Sequence, residues 1–187
     1  MKIICIIGKS ASGKTYLLNK LKNENNIHSI ITSTSRPIRV GETQGVDYNF
    51  YSKAEFEDAI EKGKFVEYEL FNDWYYGTSY DSFSEDKVNL IVINPSGFKN
   101  LCSQFGNDSI IAYYINTPFL TRLKRYIKRE GKFRYEIFRR MVADYKDFKG
   151  IEYHNRVITF YNYDDVDFIA GKIRKVAERW KNLIESF

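Results

Sequence analysis

Hydrophobic residues occur along this chain as short unbroken runs, separated by stretches with helical spacing. Residues 3–7 form an apolar run rich in isoleucine, which is typical of a strand buried on both faces of a parallel sheet. Residues 14–25 follow with leucines at 17, 18 and 21, the spacing of one helix face. This alternation predicts an α/β fold with a mainly parallel sheet. Further candidate strands lie at 29–32, 88–93, 109–115 and 156–161.

One segment interrupts the alternation with short aromatic strands, predicted at 47–51 and 65–69. The single helix expected between them carries its own boundary signals. Ser52 and Glu55 have the spacing of a capping box, and Gly63 is suited to end the helix. We therefore expect an inserted small lobe of mixed β-structure.

Composition supports a folded chain and places its charge in one region. Apolar residues make up 43% of the 187 residues, enough for a packed core. The net charge is +5, yet residues 122–140 alone hold nine Lys/Arg against two Glu. Thr117 and Pro118, just before this stretch, indicate the start of a helix. Such a cluster fits a phosphate-rich ligand or a nucleic-acid surface. No RNA-binding signature accompanies it, so we expect no nucleic-acid partner.

Cysteine content and hydropathy exclude other classes. Cys5 and Cys102 offer neither a disulfide framework nor a paired metal-ligand spacing. The apolar start of the chain is too short for a signal-peptide core, and no apolar stretch reaches about 18 residues. We expect a cytoplasmic protein without a membrane partner; the oligomeric state stays open.

A phosphate-binding loop follows the first predicted strand. Gly8, Gly13 and Lys14-Thr15 match the pattern G-x-x-x-x-G-K-[ST], and the loop leads into the first predicted helix. Backbone N–H groups at such a helix start converge on a polyphosphate, Lys14 binds its terminal phosphates, and Thr15 holds Mg²⁺ through its hydroxyl. The fold expected is thus of the P-loop NTPase type, with three layers. The predicted ATP-binding residues are Gly8, Ser10, Ala11, Ser12, Gly13, Lys14 and Thr15.

The inserted segment separates a kinase from other P-loop proteins. Residues 32–42 (TSTSRPIRVGE), 45–50 (GVDYNF), 65–67 (FVE) and 75–78 (YYGT) resemble, in order and spacing, the GMP-binding lobe of guanylate kinases. Two arginines three residues apart beside a proline, Arg36 and Arg39, suit the grip of one phosphate. The resemblance implies a GMP site formed by Thr32, Arg36, Arg39, Tyr48, Glu67, Tyr76 and Thr78, with Glu67, Thr32 and Thr78 facing the base.

The resemblance also implies phosphoryl transfer from ATP to GMP or dGMP with Mg²⁺. A phosphate acceptor is already anionic near neutral pH, so no general base is needed. Residues 125–131 and 139–141 resemble the lid of guanylate kinases, whose arginines close over the ATP phosphates. The predicted catalytic residues are Lys14, Arg39, Arg129 and Arg140.

Two positions depart from the family pattern. At the end of the strand predicted at 88–93, guanylate kinases usually carry an acidic residue, one further residue and then Asp. This chain has Val92 and Asn94 at the two acidic positions. Asn94 can still hydrogen-bond a base as a neutral group. Two alternatives therefore stay open: a related P-loop kinase for another (deoxy)nucleoside monophosphate or a sugar phosphate, and a non-catalytic, protein-binding module.

The same resemblance divides the chain into regions. We expect a single domain over residues 1–187. Its core comprises 1–33, 80–120 and 150–187, the GMP-binding lobe 34–79 and the lid 121–149.

Overall fold

The computed structural model describes residues 1–71, 73–130, 135–161 and 165–185; for residues 129–130, 135–140 and 185 it describes the backbone alone. Two sheets form the protein. The strands are β1 (Lys2–Ile7), β2 (Ile27–Ser29), β3 (Ser33–Thr34), β4 (Asn49–Phe50), β5 (Phe65–Phe71), β6 (Trp74–Ser79), β7 (Val88–Val92), β8 (Ile110–Asn116) and β9 (Val157–Tyr161). The helices are α1 (Lys14–Leu21), α2 (Lys53–Glu61), α3 (Pro95–Phe105), α4 (Phe119–Glu130), α5 (Tyr135–Asp147) and α6 (Val166–Glu185).

The larger sheet is parallel throughout and has the order β2-β7-β1-β8-β9. Helices cover both faces, which explains why β1 is apolar at every inner position. Ile3, Cys5 and Ile7 pack with α3 and with the segment just after α5, whereas Ile4 and Ile6 pack with α1 and α6. The predicted three-layer α/β fold is confirmed. Because strand ends of a parallel sheet share one edge, the loop after β1 lies beside the loop after β7.

The smaller sheet has the order β4-β3-β6-β5 and mixes parallel with antiparallel pairs. Helix α2 packs on it through Phe56, whose ring stacks on Phe65 with centroids 4.3 Å apart. The predicted capping box is present: Glu55 N donates to Ser52 Oγ, and Ser52 N donates to the Glu55 carboxylate. Gly63 follows the helix with φ +65°, the left-handed backbone that favours glycine.

Two sequence predictions have wrong boundaries. The strand expected at 29–32 is instead β2, Ile27–Ser29, after which the chain leaves the large sheet and enters the small one as β3, Ser33–Thr34. The helix expected at 14–25 ends at Leu21, because the asparagine-rich residues 23–26 favour a turn. No described helix is both long and apolar enough to cross a membrane.

Candidate active site

The phosphate-binding loop connects β1 to α1, and the side chain of Lys14 folds back over it. Lys14 Nζ donates to the carbonyl oxygens of Gly8 (2.6 Å) and Lys9 (3.2 Å), so the ammonium lies over the loop. Gly13 has φ +108°, and a side chain at Gly8 would meet Ser12 Oγ at 2.5 Å. The positive φ at Gly13 and the crowding at Gly8 both favour glycine.

A buried ion pair ties this loop to the two helices that follow β8. The Asp144 carboxylate, on α5, accepts from Ser10 N (2.8 Å) and Ser10 Oγ (3.3 Å). It also accepts from Arg122 Nη1 (3.1 Å), and Arg122, on α4, donates through Nε to the Thr117 carbonyl. Arg122 and Asp144 are 4% and 9% exposed. The sequence analysis counted Arg122 only as part of the basic cluster and missed this connection.

A cleft of about 270 Å³ joins the loop to the lobe. On the loop side it is lined by Gly8, Ser10 and Lys14. The structure thus brings the candidate donor-phosphate site and the candidate acceptor site into one space. The predicted acceptor residues that line it are Thr32, Tyr48, Glu67, Tyr76 and Asn94.

Glu67 is the buried carboxylate that the lobe contributes to this cleft. It is 9% exposed, and its pKa is raised to about 7. Burial is the largest cause of this rise. The hydrogen bond from Thr78 lowers the pKa in part, and the neighbouring charge of Glu69 adds to the rise. Thr78 Oγ1 donates to Glu67 Oε1 at 2.5 Å. Thr78 therefore contacts Glu67 rather than the cleft itself, and orients the carboxylate.

Arg36 is held in place by a residue that the sequence analysis did not single out. Its guanidinium forms a bidentate pair with the Glu42 carboxylate (3.0 and 2.9 Å) and lies over the rings of Tyr48 and Phe50. Arg36 is 7% exposed, whereas Arg39 is exposed and donates through its backbone N to Glu42. Of the two arginines, only Arg36 is preorganised here.

Asn94 occupies the N-cap of α3. Its Oδ1 accepts from Gly97 N (2.8 Å), and its Nδ2 donates to Glu69 Oε1 (2.5 Å). Glu69 lines the cleft beside Glu67 and is a further residue that the sequence analysis missed. Its signal was present in the sequence: residues 67 and 69 of one strand point to the same face.

Comparison with known proteins agrees with this geometry. The family model described as guanylate kinase matches residues 1–179. The chain belongs to the guanylate kinase family. A guanylate kinase of Bdellovibrio bacteriovorus is 32% identical over 154 residues, covering 79% of this chain and 82% of that protein. A guanylate kinase of Rickettsia felis is 31% identical, covering 96% of this chain and 95% of that protein.

A solved structure shares the fold. The crystal structure of a guanylate kinase from Anaplasma phagocytophilum superposes with a TM-score of 0.70 at 19% identity, covering 96% of this chain and 86% of that one. The resemblance of the inserted lobe to guanylate kinases, expected from the motifs, is thereby confirmed at the level of family and fold.

A second cavity borders the phosphate-binding loop at Ser12 and Gly13. It measures about 320 Å³ and is mostly apolar. Arg125 enters its wall and donates from Nη1 to the Ser12 carbonyl at 3.0 Å. Sequence spacing does not reveal this cavity, because its residues come from four separate segments. They are Ser12, Gly13, Tyr16, Leu17, Ile115, Arg125, Val166 and Ile169.

The remaining predicted residues lie around the loop. Ala11 packs on the cluster of Tyr126 and Met141 between α4 and α5. Thr15 is exposed in the first turn of α1. The side chains of Arg129 and Arg140 lie outside the described residues, so their predicted role stays a prediction.

The described residues contain no group of three or more His, Cys, Asp or Glu side chains that could enclose a metal ion. An exposed hydroxyl at Thr15 fits Mg²⁺ nonetheless, because this ion usually keeps several waters and binds largely through substrate phosphates. The role of Thr15 in holding Mg²⁺ therefore stays a prediction with which its exposed position is consistent.

Proposed function

We propose that this protein transfers the terminal phosphoryl group of ATP to GMP or dGMP, giving ADP and GDP or dGDP. The observation that carries the proposal is the single cleft lined by both Glu67 and Lys14. An acceptor bound in this cleft would place its base at the Glu67 carboxylate and its phosphate near the Lys14 ammonium. Cytoplasmic localisation and a requirement for Mg²⁺ belong to the same proposal.

Glu67 supplies the selection of guanine. Guanine presents adjacent N1–H and N2–H₂ donors, which one carboxylate accepts as a pair, and adenine lacks both. Bound adenine would leave the buried Glu67 carboxylate with its hydrogen bond from Thr78 but without a donor from the base. A site built on such hydrogen bonds rejects the wrong partner by about 10⁴-fold. Thr78 fixes the carboxylate in the required orientation through its 2.5 Å hydrogen bond.

Arg36 and two tyrosines supply the phosphate site. The bidentate pair with Glu42 holds the Arg36 guanidinium, and Tyr48 and Tyr76 add neutral donors at the wall of the cleft. Their rings pack edge to face with centroids 6.4 Å apart. Arg39, with its exposed side chain, completes the grip on the acceptor phosphate when GMP is bound.

Catalysis rests on alignment and charge neutralisation. Lys14, with Arg129 and Arg140 in the predicted lid, stabilises negative charge on the transferring phosphoryl group. Bound Mg²⁺ supplies further charge neutralisation at the ATP phosphates. No side chain needs to remove a proton, because the GMP phosphate is a dianion above about pH 6. His28 and His154 do not line the cleft: they contact the Ser82 carbonyl and the Phe98 ring.

The second cavity suits the nucleoside part of ATP. It touches the loop at Ser12 and Gly13, and its apolar lining with one guanidinium fits the stacking of a planar base. Donor and acceptor then approach the loop from different sides, and their phosphates meet over Lys14.

An acceptor panel tests the proposed reaction. With ATP held constant, a coupled assay of ADP release should give a kcat/KM for GMP at least about 10²-fold above those for dCMP, dTMP and ribose 5-phosphate, because only guanine satisfies Glu67. The alternative, a related kinase for another acceptor, draws on Val92 and Asn94, which leave the end of β7 without a carboxylate. If GMP turned over no faster than those acceptors, that alternative would replace the proposal.

The pKa of Glu67, raised to about 7, gives a pH-dependent expectation. Only the ionised carboxylate accepts both guanine donors, so kcat/KM for GMP should fall as pH drops below 7, by up to about tenfold per pH unit. The GMP phosphate titrates near pH 6 and adds its own step. In Glu67→Gln the pH dependence due to the GMP phosphate remains, whereas the dependence due to Glu67 disappears. The variant therefore separates the two titrations. Identical pH profiles for Glu67→Gln and the unchanged protein would contradict this assignment.

A further inference from the structure

Strand β5 places two carboxylates on one face. Glu67 and Glu69 are two residues apart and both line the cleft, whereas Tyr68 and Leu70 between and after them are exposed on the opposite face. Their proximity is reflected in the pKa of Glu67, which the charge of Glu69 raises in addition to burial. Two like charges side by side destabilise an empty site, so a cationic or hydrogen-donating ligand is the natural occupant.

Asn94 fixes the position of the second carboxylate. Its Oδ1 is used by Gly97 N at the start of α3, which leaves the amide nitrogen to face Glu69 Oε1 at 2.5 Å. The amide orientation is thus set by the helix cap rather than by the ligand. Glu69 becomes an oriented acceptor at the wall of the cleft, next to the carboxylate that selects guanine.

Guanine carries one more donor than Glu67 can take. Its Watson–Crick edge has N1–H and two hydrogens on the exocyclic N2. A single carboxylate accepts N1–H and one N2–H, and one oxygen of Glu67 already accepts from Thr78. The second N2–H then needs its own acceptor, because a buried donor without one is costly.

We propose that Glu69, positioned by Asn94, accepts the second hydrogen of the guanine exocyclic amine and is a specificity-determining residue of the acceptor site. This inference rests on the proposed function. The carboxylate that the end of β7 lacks at position 94 is supplied instead by β5, and the amide of Asn94 holds it. Glu69 thereby selects guanine against hypoxanthine, which differs from guanine by the absence of that amine.

Glu69→Gln against two acceptors tests the proposal. Glutamine has one acceptor oxygen in place of two, and its amide nitrogen is a donor. That nitrogen would therefore face another donor, either the Asn94 amide or the guanine amine, and one of the two hydrogen bonds is lost. KM for GMP should rise about 10- to 100-fold, whereas KM for IMP, which lacks the amine, should change by less than about threefold. The preference for GMP over IMP therefore falls by at least about tenfold.

Asn94→Ser tests the positioning role. Serine keeps an N-cap acceptor for α3 but removes the amide that holds Glu69. The preference for GMP over IMP should fall in the same direction as in Glu69→Gln, by a smaller factor. Glu61→Gln, a matched change at the exposed end of α2, should leave both KM values unchanged.

The outcomes separate this proposal from the function on which it rests. Equal losses for GMP and IMP in Glu69→Gln would mean that Glu69 only supports the fold of the cleft. Unchanged KM values for GMP and IMP would assign Glu69 to the neighbouring cavity, where Lys99 and Lys146 lie. Equal losses and unchanged KM values would each overturn the proposal. An unchanged protein that did not phosphorylate GMP would instead refute the proposed function, and this inference with it.

Discussion

Replacing Lys14 by Met is expected to lower kcat by at least about 10³-fold while the protein remains folded. Methionine keeps most of the apolar stem but removes the ammonium that donates to the loop carbonyls of Gly8 and Lys9. Charge on the transferring phosphoryl group then loses a major stabilising partner. Steady-state rates with saturating ATP and GMP measure the effect, and circular dichroism checks the fold.

Lys22→Met provides the control for Lys14→Met. Lys22 lies just after the same helix and has an exposed side chain, so its removal should leave kcat within about twofold. Equal rates for Lys14→Met and Lys22→Met would contradict a catalytic role for the loop. In that case a protein-binding module would be the better description of the chain.

Removing the Asp144 carboxylate should destabilise the protein by about 3–5 kcal/mol. Asp144→Ala leaves the Arg122 guanidinium buried with its counter-charge gone, and it also removes the acceptor of Ser10 N. An uncompensated buried charge carries a penalty of this size. For a chain of this length we expect Tm to fall by roughly 10 °C, measured by thermal or urea unfolding.

Asp58→Ala is the matched control, because it breaks an ion pair with Lys62 in which both side chains are more than half exposed. Such surface pairs contribute less than about 0.5 kcal/mol. The double variant Asp144→Leu with Arg122→Met removes both charges and should recover most of the lost stability. Equal losses for Asp144→Ala and Asp58→Ala would show that the buried pair contributes little.

Local patterns predicted the parts of this protein whose chemistry is contained in a few consecutive residues. The loop ending in Lys14-Thr15, the cap at Ser52 and the all-apolar β1 depend on neighbours in sequence, so spacing alone was sufficient. Asn94 was singled out as a departure from the family pattern, but its contacts with Gly97 and Glu69 were not foreseen.

Contacts between distant residues escaped the sequence analysis. Asp144 meets Ser10 across 134 positions, and no spacing rule connects them. Residues 122–140 were interpreted as one basic cluster, although Arg122 itself is buried. The apolar cavity beside Gly13 escaped for the same reason, since α1, β8, α4 and α6 each contribute a part of it.

Glu67 also has a consequence for the empty protein. Its pKa is about 4.5 in an unfolded chain and about 7 in the fold, so between these values the folded state binds more protons than the unfolded state. The contribution of Glu67 to stability is therefore complete below pH 4.5 and is lost as pH rises through 7. In the complex proposed above, guanine offers its N–H groups to the ionised carboxylate and offsets that loss. On this proposal GMP stabilises the fold more strongly as pH rises through 7, so above that pH the folded fraction of the protein depends on the supply of its acceptor.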